Sequence, residues 1–170
     1  MKTIFIFILL ISSLVASEYK SKVAGVAPVN NSLYIKECGA CHFAYQPGLL
    51  PSNSWKKMMS NLESHFGADA TLAQEDFVAI SQYLEQNSAE KAYAYKRSYK
   101  IANSMRDDGT IIAISKTPYF IKEHKGIPKK YIEQESVKGL FNCIACHTTA
   151  QKGIYSERDI LIPNYGRWDD

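Results

Sequence analysis

The sequence lacks a strong excess of charge of either sign. In its 170 residues, 20 Lys and Arg nearly balance 17 Asp and Glu, which leaves a formal net charge of +3. A general nucleic-acid-binding domain is strongly basic and concentrates its Lys and Arg on one face, so this class of protein is disfavoured. Hydrophobic residues make up 46% and charged residues 22% of the chain, which is typical of a folded, globular protein. The length predicts one domain or two very small ones.

After residue 17, the sequence also lacks an apolar run long enough to cross a bilayer, and it shows no repeat of about 20–50 residues. Residues 1–17 have the pattern of a secretory signal peptide. Lys2 precedes an uncharged apolar stretch over residues 4–15, and small residues precede a cut after Ser17. The stretch is short for a membrane span, although an uncleaved N-terminal anchor is the alternative. The sequence therefore predicts an exported, periplasmic protein without stable membrane insertion after signal cleavage.

Only four cysteines and four histidines are present, and most of them fall in two short segments. Residues 38–42 read CGACH and residues 143–147 read CIACH, and Cys-x-x-Cys-His is the attachment signature of c-type haem. Two thiols at this spacing lie on one side of a helical turn and can add to both vinyl groups of one porphyrin. The next residue, histidine, then projects toward the iron. The predicted cofactors are two covalently attached haem c groups, bound by Cys38, Cys41, Cys143 and Cys146, with His42 and His147 as iron ligands.

Two other uses of these cysteines must be weighed against haem attachment. A thioredoxin-like disulfide needs a strand followed by a helix, whereas both boxes follow helical patterns. A four-cysteine zinc site usually has more closely spaced pairs than these two, which are separated by about a hundred residues. Neither alternative requires a histidine after each pair. Haem attachment is therefore favoured, with disulfides and zinc kept as alternatives.

Two histidines, His65 and His124, remain as candidate sixth ligands for the two irons. We predict that His65 pairs with His42 and His124 with His147, because local pairing closes the shorter loops; a crossed arrangement is the alternative. Methionine is the competing ligand, and it raises the reduction potential. Met58, Met59 and Met105 are available, but Met58 and Met59 are predicted on the apolar face of a helix and are interpreted as core residues.

Ligation of each iron by two histidines predicts a protein that transfers electrons and is not an enzyme. Both irons would be six-coordinate and low-spin, and both would be closed to small ligands. No histidine is left for catalysis, so no catalytic residue is predicted. The alternative is a haem enzyme or a small-ligand sensor in which one distal histidine is displaceable.

These residues resemble the exported dihaem cytochrome c family of small two-haem proteins. The first matching block runs from the box at 38–42 through LLPxxSW at 49–55 to HFG at 65–67. The second runs from Thr117 and Phe120 through His124 to the box at 143–147, and continues to Pro163. The resemblance implies a mainly α, two-lobed fold with one haem per lobe, bis-histidine ligation and electron transfer. It also implies a redox partner that is another c-type cytochrome, including an oxygen-binding one, or a membrane cytochrome b.

The predicted order of segments is a signal peptide at 1–17, an N-terminal haem lobe at 18–88, a connecting segment at 89–111 and a C-terminal haem lobe at 112–170. Helices are expected over 32–38, from residue 53 or 54 through 66, after a Thr71 cap, after a Thr117 cap and over 137–146. The mature protein is expected to be a monomer.

Charged side chains also bear on how this protein would meet a partner. Lysines gather in the segment before the second box, at positions 116, 122, 125, 129, 130 and 138. A basic rim of this kind would steer an acidic redox partner, and an ordinary solvated surface is the alternative. The pairs Lys56-Lys57 and Lys96-Arg97 are candidate partners for haem propionates.

Overall fold

The computed structural model describes residues 23–168, so the predicted signal peptide lies outside the described residues. Within this range, most regular structure is helical, and a short antiparallel hairpin lies near the end. The prediction of a mainly α fold is thereby confirmed. The helices are α1 (Ser32–Cys38), α2 (Ser52–Met59), α3 (Gln74–Gln86), α4 (Lys96–Ser104), α5 (Pro118–His124) and α6 (Lys129–Ile132), and the strands are β1 (Leu161–Ile162) and β2 (Gly166–Arg167).

Helix α1 leads into the first Cys-x-x-Cys-His box. The Asn31 side chain accepts a hydrogen bond from the backbone N–H of Tyr34 and so caps the helix. Tyr34 is buried, and its hydroxyl donates to the carbonyl oxygen of Tyr45 over 2.8 Å. The helix is thereby fixed to the chain that follows the box.

Helices α2 and α3 pack against each other around Trp55, which is 2% exposed. The indole N–H of Trp55 donates to the carbonyl of Pro47 over 2.7 Å, so the one polar atom of this large side chain is satisfied. We call this buried group the N-terminal core; it consists of Tyr34, Leu50, Trp55, Met59, Ile80 and Leu84.

A second buried cluster, the central core, takes residues from distant parts of the chain: Val26, Leu49, Ala89, Ile101, Ala150 and Tyr155. Val26 belongs to the extended arm that precedes α1, and it is fully buried. Ala89 and Ile101 belong to the segment predicted to connect two lobes. That segment therefore contributes side chains to the hydrophobic interior and forms α4.

Three helix predictions are wrong in extent or in kind. The helix predicted to reach Phe66 ends at Met59, and the chain turns at Phe66 and Gly67 with φ of 50° and 93°. Helix α3 begins at Gln74, and Thr71 does not cap it, since the Thr71 hydroxyl donates to the Asp69 carboxylate.

The third prediction, a helix over 137–146, is replaced by turns. Lys138 and Gly139 have φ of 64° and 135°, and a right-handed helix cannot continue through left-handed residues. Only a short 3-10 turn, Cys143–Ala145, remains of this prediction. Among the residues from 23 to 168, no helix is both long and apolar enough to cross a membrane.

Candidate haem sites

All four cysteines carry free thiols, so they do not form disulfides. Cys38 is the last residue of α1, and Cys41 is exposed on the turn that follows. Cys143 begins the 3-10 turn of the second box, and Cys146 follows that turn directly. Between Val23 and Trp168, no three His, Cys, Asp or Glu side chains are close enough together to hold a metal ion. The zinc alternative therefore has no support in the described part of the chain.

The structure brings His42 and His65 together at the first site. Their ring centroids are 6.1 Å apart, and the ring planes differ by 28°. Two imidazoles that bind one metal ion from opposite sides, each at about 2.0 Å, have ring centroids about 6 Å apart. The separation therefore fits one iron between the two rings.

The two rings of the first site are held differently. The Nδ1 of His42 lies 2.9 Å from the carbonyl oxygen of Phe43, so Nδ1–H donates and Nε2 is left free to bind a metal. The Tyr45 ring stacks on the His42 ring at 4.6 Å. The Nδ1 of His65 is buried and has no hydrogen-bond partner among the described residues.

His65 lies on a turn, whereas the sequence predicted it on the apolar face of a helix with Met58. Its backbone pairs with Ala68 in an isolated antiparallel bridge, and Phe66 beside it is 64% exposed. Burial, followed by the neighbouring His42, lowers the pKa of His65. The neutral imidazole that a metal requires is therefore favoured.

His124 and His147 come together at the second site, again with ring centroids 6.1 Å apart, and their ring planes differ by 73°. His124 is the last residue of α5, and its Nδ1 lies 2.8 Å from the Phe120 carbonyl oxygen in the same helix. Its Nε2 is thereby directed away from the helix backbone. The separation of the two rings fits one iron, as at the first site.

The second site lies in a cavity of about 290 Å³. Most of the side chains around it are apolar or aromatic, and they include Ile101, Phe120, Val137, Leu140, Tyr155 and Ile162. Burial, with smaller contributions from His124 and Arg97, lowers the pKa of His147 to about 4. The cavity therefore combines neutral imidazoles and free thiols with an apolar wall, the surroundings that a haem group requires.

Arg97 also lines this cavity, although the sequence suggests it only as one of four candidate partners for propionates. Its guanidinium donates to the Tyr119 hydroxyl over 2.8 Å and to the Tyr155 carbonyl oxygen. The sequence signal was weak because Arg97 lies far along the chain from both boxes. Only the packing of α4 against α5 brings it to the second site.

Two of the three methionines that compete as ligands, Met58 and Met59, are placed as the sequence predicts for core residues. Met59 is buried in the N-terminal core, and Met58 packs against that core. Their side chains therefore have a structural use that does not involve a metal.

Both boxes have free thiols, and each has a histidine pair at the spacing that one iron requires, so the fold and the sites are those of a c-type cytochrome. The family model for dihaem cytochrome c matches residues 34–155, which is more than half of the chain. The chain belongs to the dihaem cytochrome c family.

Solved structures of three related chains agree with this assignment. The new dihaem cytochrome type c from Shewanella baltica OS155 is 34% identical, covers 82% of this chain and 98% of its own, and superposes with a TM-score of 0.66. DHC purified from Rhodobacter sphaeroides is 33% identical and covers 75% of this chain and 99% of its own, with a TM-score of 0.62. A second structure, of the dihaem cytochrome c from Rhodobacter sphaeroides, is 33% identical and covers 76% of this chain and 100% of its own, with a TM-score of 0.65.

A comparison with curated proteins gives no match. Family membership makes this chain a haem-binding electron-transfer protein with two covalently attached haem c cofactors. The matched range also spans residues 87–100, which lie outside the two blocks that carry the resemblance in the sequence.

Proposed function

We propose that this chain is a periplasmic electron carrier in which His42 and His65 bind one haem iron and His124 and His147 bind the other. The observation that carries the proposal is the ring separation of 6.1 Å in both pairs. Cys38 and Cys41 would attach the first haem, and Cys143 and Cys146 the second. An N-terminal lobe at 18–88 and a C-terminal lobe at 112–170 would each hold one haem.

The protein's own groups orient the histidine imidazoles, and the redox chemistry belongs to the cofactor. When bound, haem c supplies an iron that changes between the ferric and ferrous states. The carbonyl oxygens of Phe43 and Phe120 hold Nδ1–H of His42 and His124, which sets the tautomer and aims Nε2 at the metal position. The apolar wall of the second cavity excludes water. Because two histidines would hold each iron, neither site would offer a position for a substrate, so the proposed role is electron transfer and not catalysis.

The redox partner in this proposal is another c-type cytochrome or a membrane cytochrome b, and the carrier is a monomer that does not bind nucleic acid. The family resemblance supports the choice of partner, and the nearly balanced charge supports the exclusion of nucleic acid. Residues 1–17, with their signal-peptide pattern, support the periplasmic location.

A second candidate is a small-ligand sensor that opens at the first site. The observation that favours it is the contrast between the two distal histidines. His124 is held by Phe120 at the end of a helix, whereas His65 lies on a turn with no partner for its Nδ1 in the described range. If one histidine can leave its iron, it is His65.

The experiment is to record visible spectra of the holoprotein, ferric and ferrous, with and without carbon monoxide. An electron carrier gives two low-spin haems and no carbon monoxide complex, whereas the sensor gives one complex. His65→Ala and His124→Ala should each convert one haem to a form that binds carbon monoxide. If both variants stayed six-coordinate and low-spin with unchanged potentials, the ligand assignment would be wrong.

A further inference from the structure

Arg97 is a cation built into the wall of the second cavity. It is half-buried, and both ends of its guanidinium are held, by the Tyr119 hydroxyl and by the Tyr155 carbonyl oxygen. Its backbone N–H donates to the Gly25 carbonyl over 2.8 Å. A Cβ at Gly25 would lie 2.9 Å from the Cδ of Arg97, so glycine there gives the side chain room. The charge is therefore fixed in one place.

No carboxylate described in the structure forms an ion pair with this guanidinium. Glu123 and Glu157 also line the cavity, as does Lys122. The guanidinium of Arg97 is bonded to the carbonyl of Tyr155, and the Tyr155 ring lies 5.3 Å from the His147 ring. A positive charge is therefore held beside the second histidine pair.

The first site is more open to solvent. Phe66 and Gly67, which follow His65 directly, are exposed. Solvent screens charges at an exposed site far more than at a buried one. The two sites share the same kinds of iron ligand, but they differ in burial, and the second has Arg97 in its wall.

We propose that Arg97 sets the reduction potential of the second haem above that of the first, so that an electron on the protein resides at the second site. The inference deepens the proposed function and rests on it, because the same ligands at both sites leave charge and burial as the difference. Reduction adds one electron, supplied by a one-electron redox partner, and hence one negative charge to the site. Arg97 stabilises that charge in a low-dielectric surrounding. Burial would act in the same direction, because it disfavours the ferric iron–porphyrin unit, which carries a positive charge that the ferrous unit lacks.

The test is a spectroelectrochemical titration of the holoprotein and three variants. Arg97→Gln removes the charge and keeps a hydrogen-bond donor, Arg97→Lys keeps the charge, and Arg106→Gln removes an equal charge from a side chain that is 90% exposed. We expect Arg97→Gln to lower the equilibrium constant for reducing the second haem about tenfold, which is about 59 mV for a one-electron couple. The first haem should keep its potential. Arg97→Lys should keep the potential of the second haem close to its wild-type value. Arg106→Gln should change neither potential.

His65→Met assigns the two potentials, because methionine ligation raises the potential of the first haem alone. The wild-type potential that His65→Met leaves unchanged belongs to the second haem, and it should be the higher of the two. If it is the lower of the two, the proposal is overturned, even if Arg97→Gln does not fold. The proposal also fails if Arg97→Gln leaves both potentials unchanged, while the proposed function survives. If His65→Met changes neither the spectrum nor a potential, the ligand assignment itself fails.

Discussion

The four histidines differ in their surroundings, and above all in whether Nδ1 has a hydrogen-bond partner. His42 and His124 donate to backbone carbonyls, while the Nδ1 atoms of His65 and His147 are buried without a partner in the described chain. Each site therefore combines one fixed and one unfixed imidazole. The fixed ring belongs to the box at the first site and to α5 at the second.

A buried pair of polar side chains connects distant residues close to the second site. The Tyr155 hydroxyl donates to Oε1 of Gln46 over 2.6 Å, and Nε2 of Gln46 donates to the Ala150 carbonyl over 2.6 Å. Gln46 is fully buried and Tyr155 is 8% exposed. Both hydrogen-bonding ends of the Gln46 amide are thus satisfied, as a buried amide requires.

We predict that Tyr155→Phe lowers the free energy of unfolding by about 1–3 kcal/mol, because it leaves the Gln46 oxygen buried and unpaired. The ring still packs beside His147, so the low-spin spectrum should not change. Urea unfolding of the holoprotein measures the effect. Tyr99→Phe, at a side chain that is 54% exposed, is the control and should cost little. An equal cost in the two variants would contradict this account.

At the scale of elements, short polar residues before a helix predicted its start at two positions, although Thr71 does not cap α3. Asn31 and Thr117 cap α1 and α5 because a short polar side chain bonds to the backbone three residues later. The helix predicted to reach Phe66 failed because its apolar spacing continues past the residue where the backbone turns. Apolar spacing reports which side chains face a core, and a turn can satisfy it as well as a helix can.

The segment over 137–146 shows the same limit more strongly. Its apolar residues suggested a helix, but Lys138 and Gly139 adopt left-handed conformations, and Asn142 bonds back to the Val137 carbonyl. In an apolar segment that surrounds a haem site, side chains are placed around the site rather than along one helix face. The Cys-x-x-Cys-His signature survives this error because it depends on spacing and not on secondary structure.

Thr117 gives an element-scale prediction, because it caps the helix that ends in His124. Its fully buried hydroxyl accepts from the Phe120 N–H over 3.3 Å and donates to the Ile114 carbonyl over 3.0 Å. Thr117→Ala should cost about 1 kcal/mol and speed amide hydrogen exchange in α5. Thr117→Ser keeps the hydroxyl and should restore most of the protection. If exchange in α5 were unchanged by Thr117→Ala, the cap would not be what holds the helix.

At the scale of the whole molecule, the central core joins parts of the chain that the sequence assigned to separate lobes. It combines Val26 of the arm, Leu49 after the first box, Ile101 of α4 and Tyr155 after the second box. The arm is also fixed by backbone bonds, from the Gly25 N–H to the Gly153 carbonyl and from the Arg97 N–H to the Gly25 carbonyl. No local pattern could predict this junction, because its members are far apart in sequence. We infer that the two haem sites share one cooperative unit.

Val26 tests this cooperativity, since it is fully buried where these segments meet. Val26→Ala should lower the free energy of unfolding by about 2 kcal/mol, from lost burial and from the cavity that remains. Because the core is shared, urea transitions followed at each haem and by tryptophan fluorescence should move together and stay coincident. Val23→Ala, at a side chain that is 72% exposed, should leave every transition in place. If Val26→Ala separated the transitions or moved only one, the two sites would unfold as independent lobes.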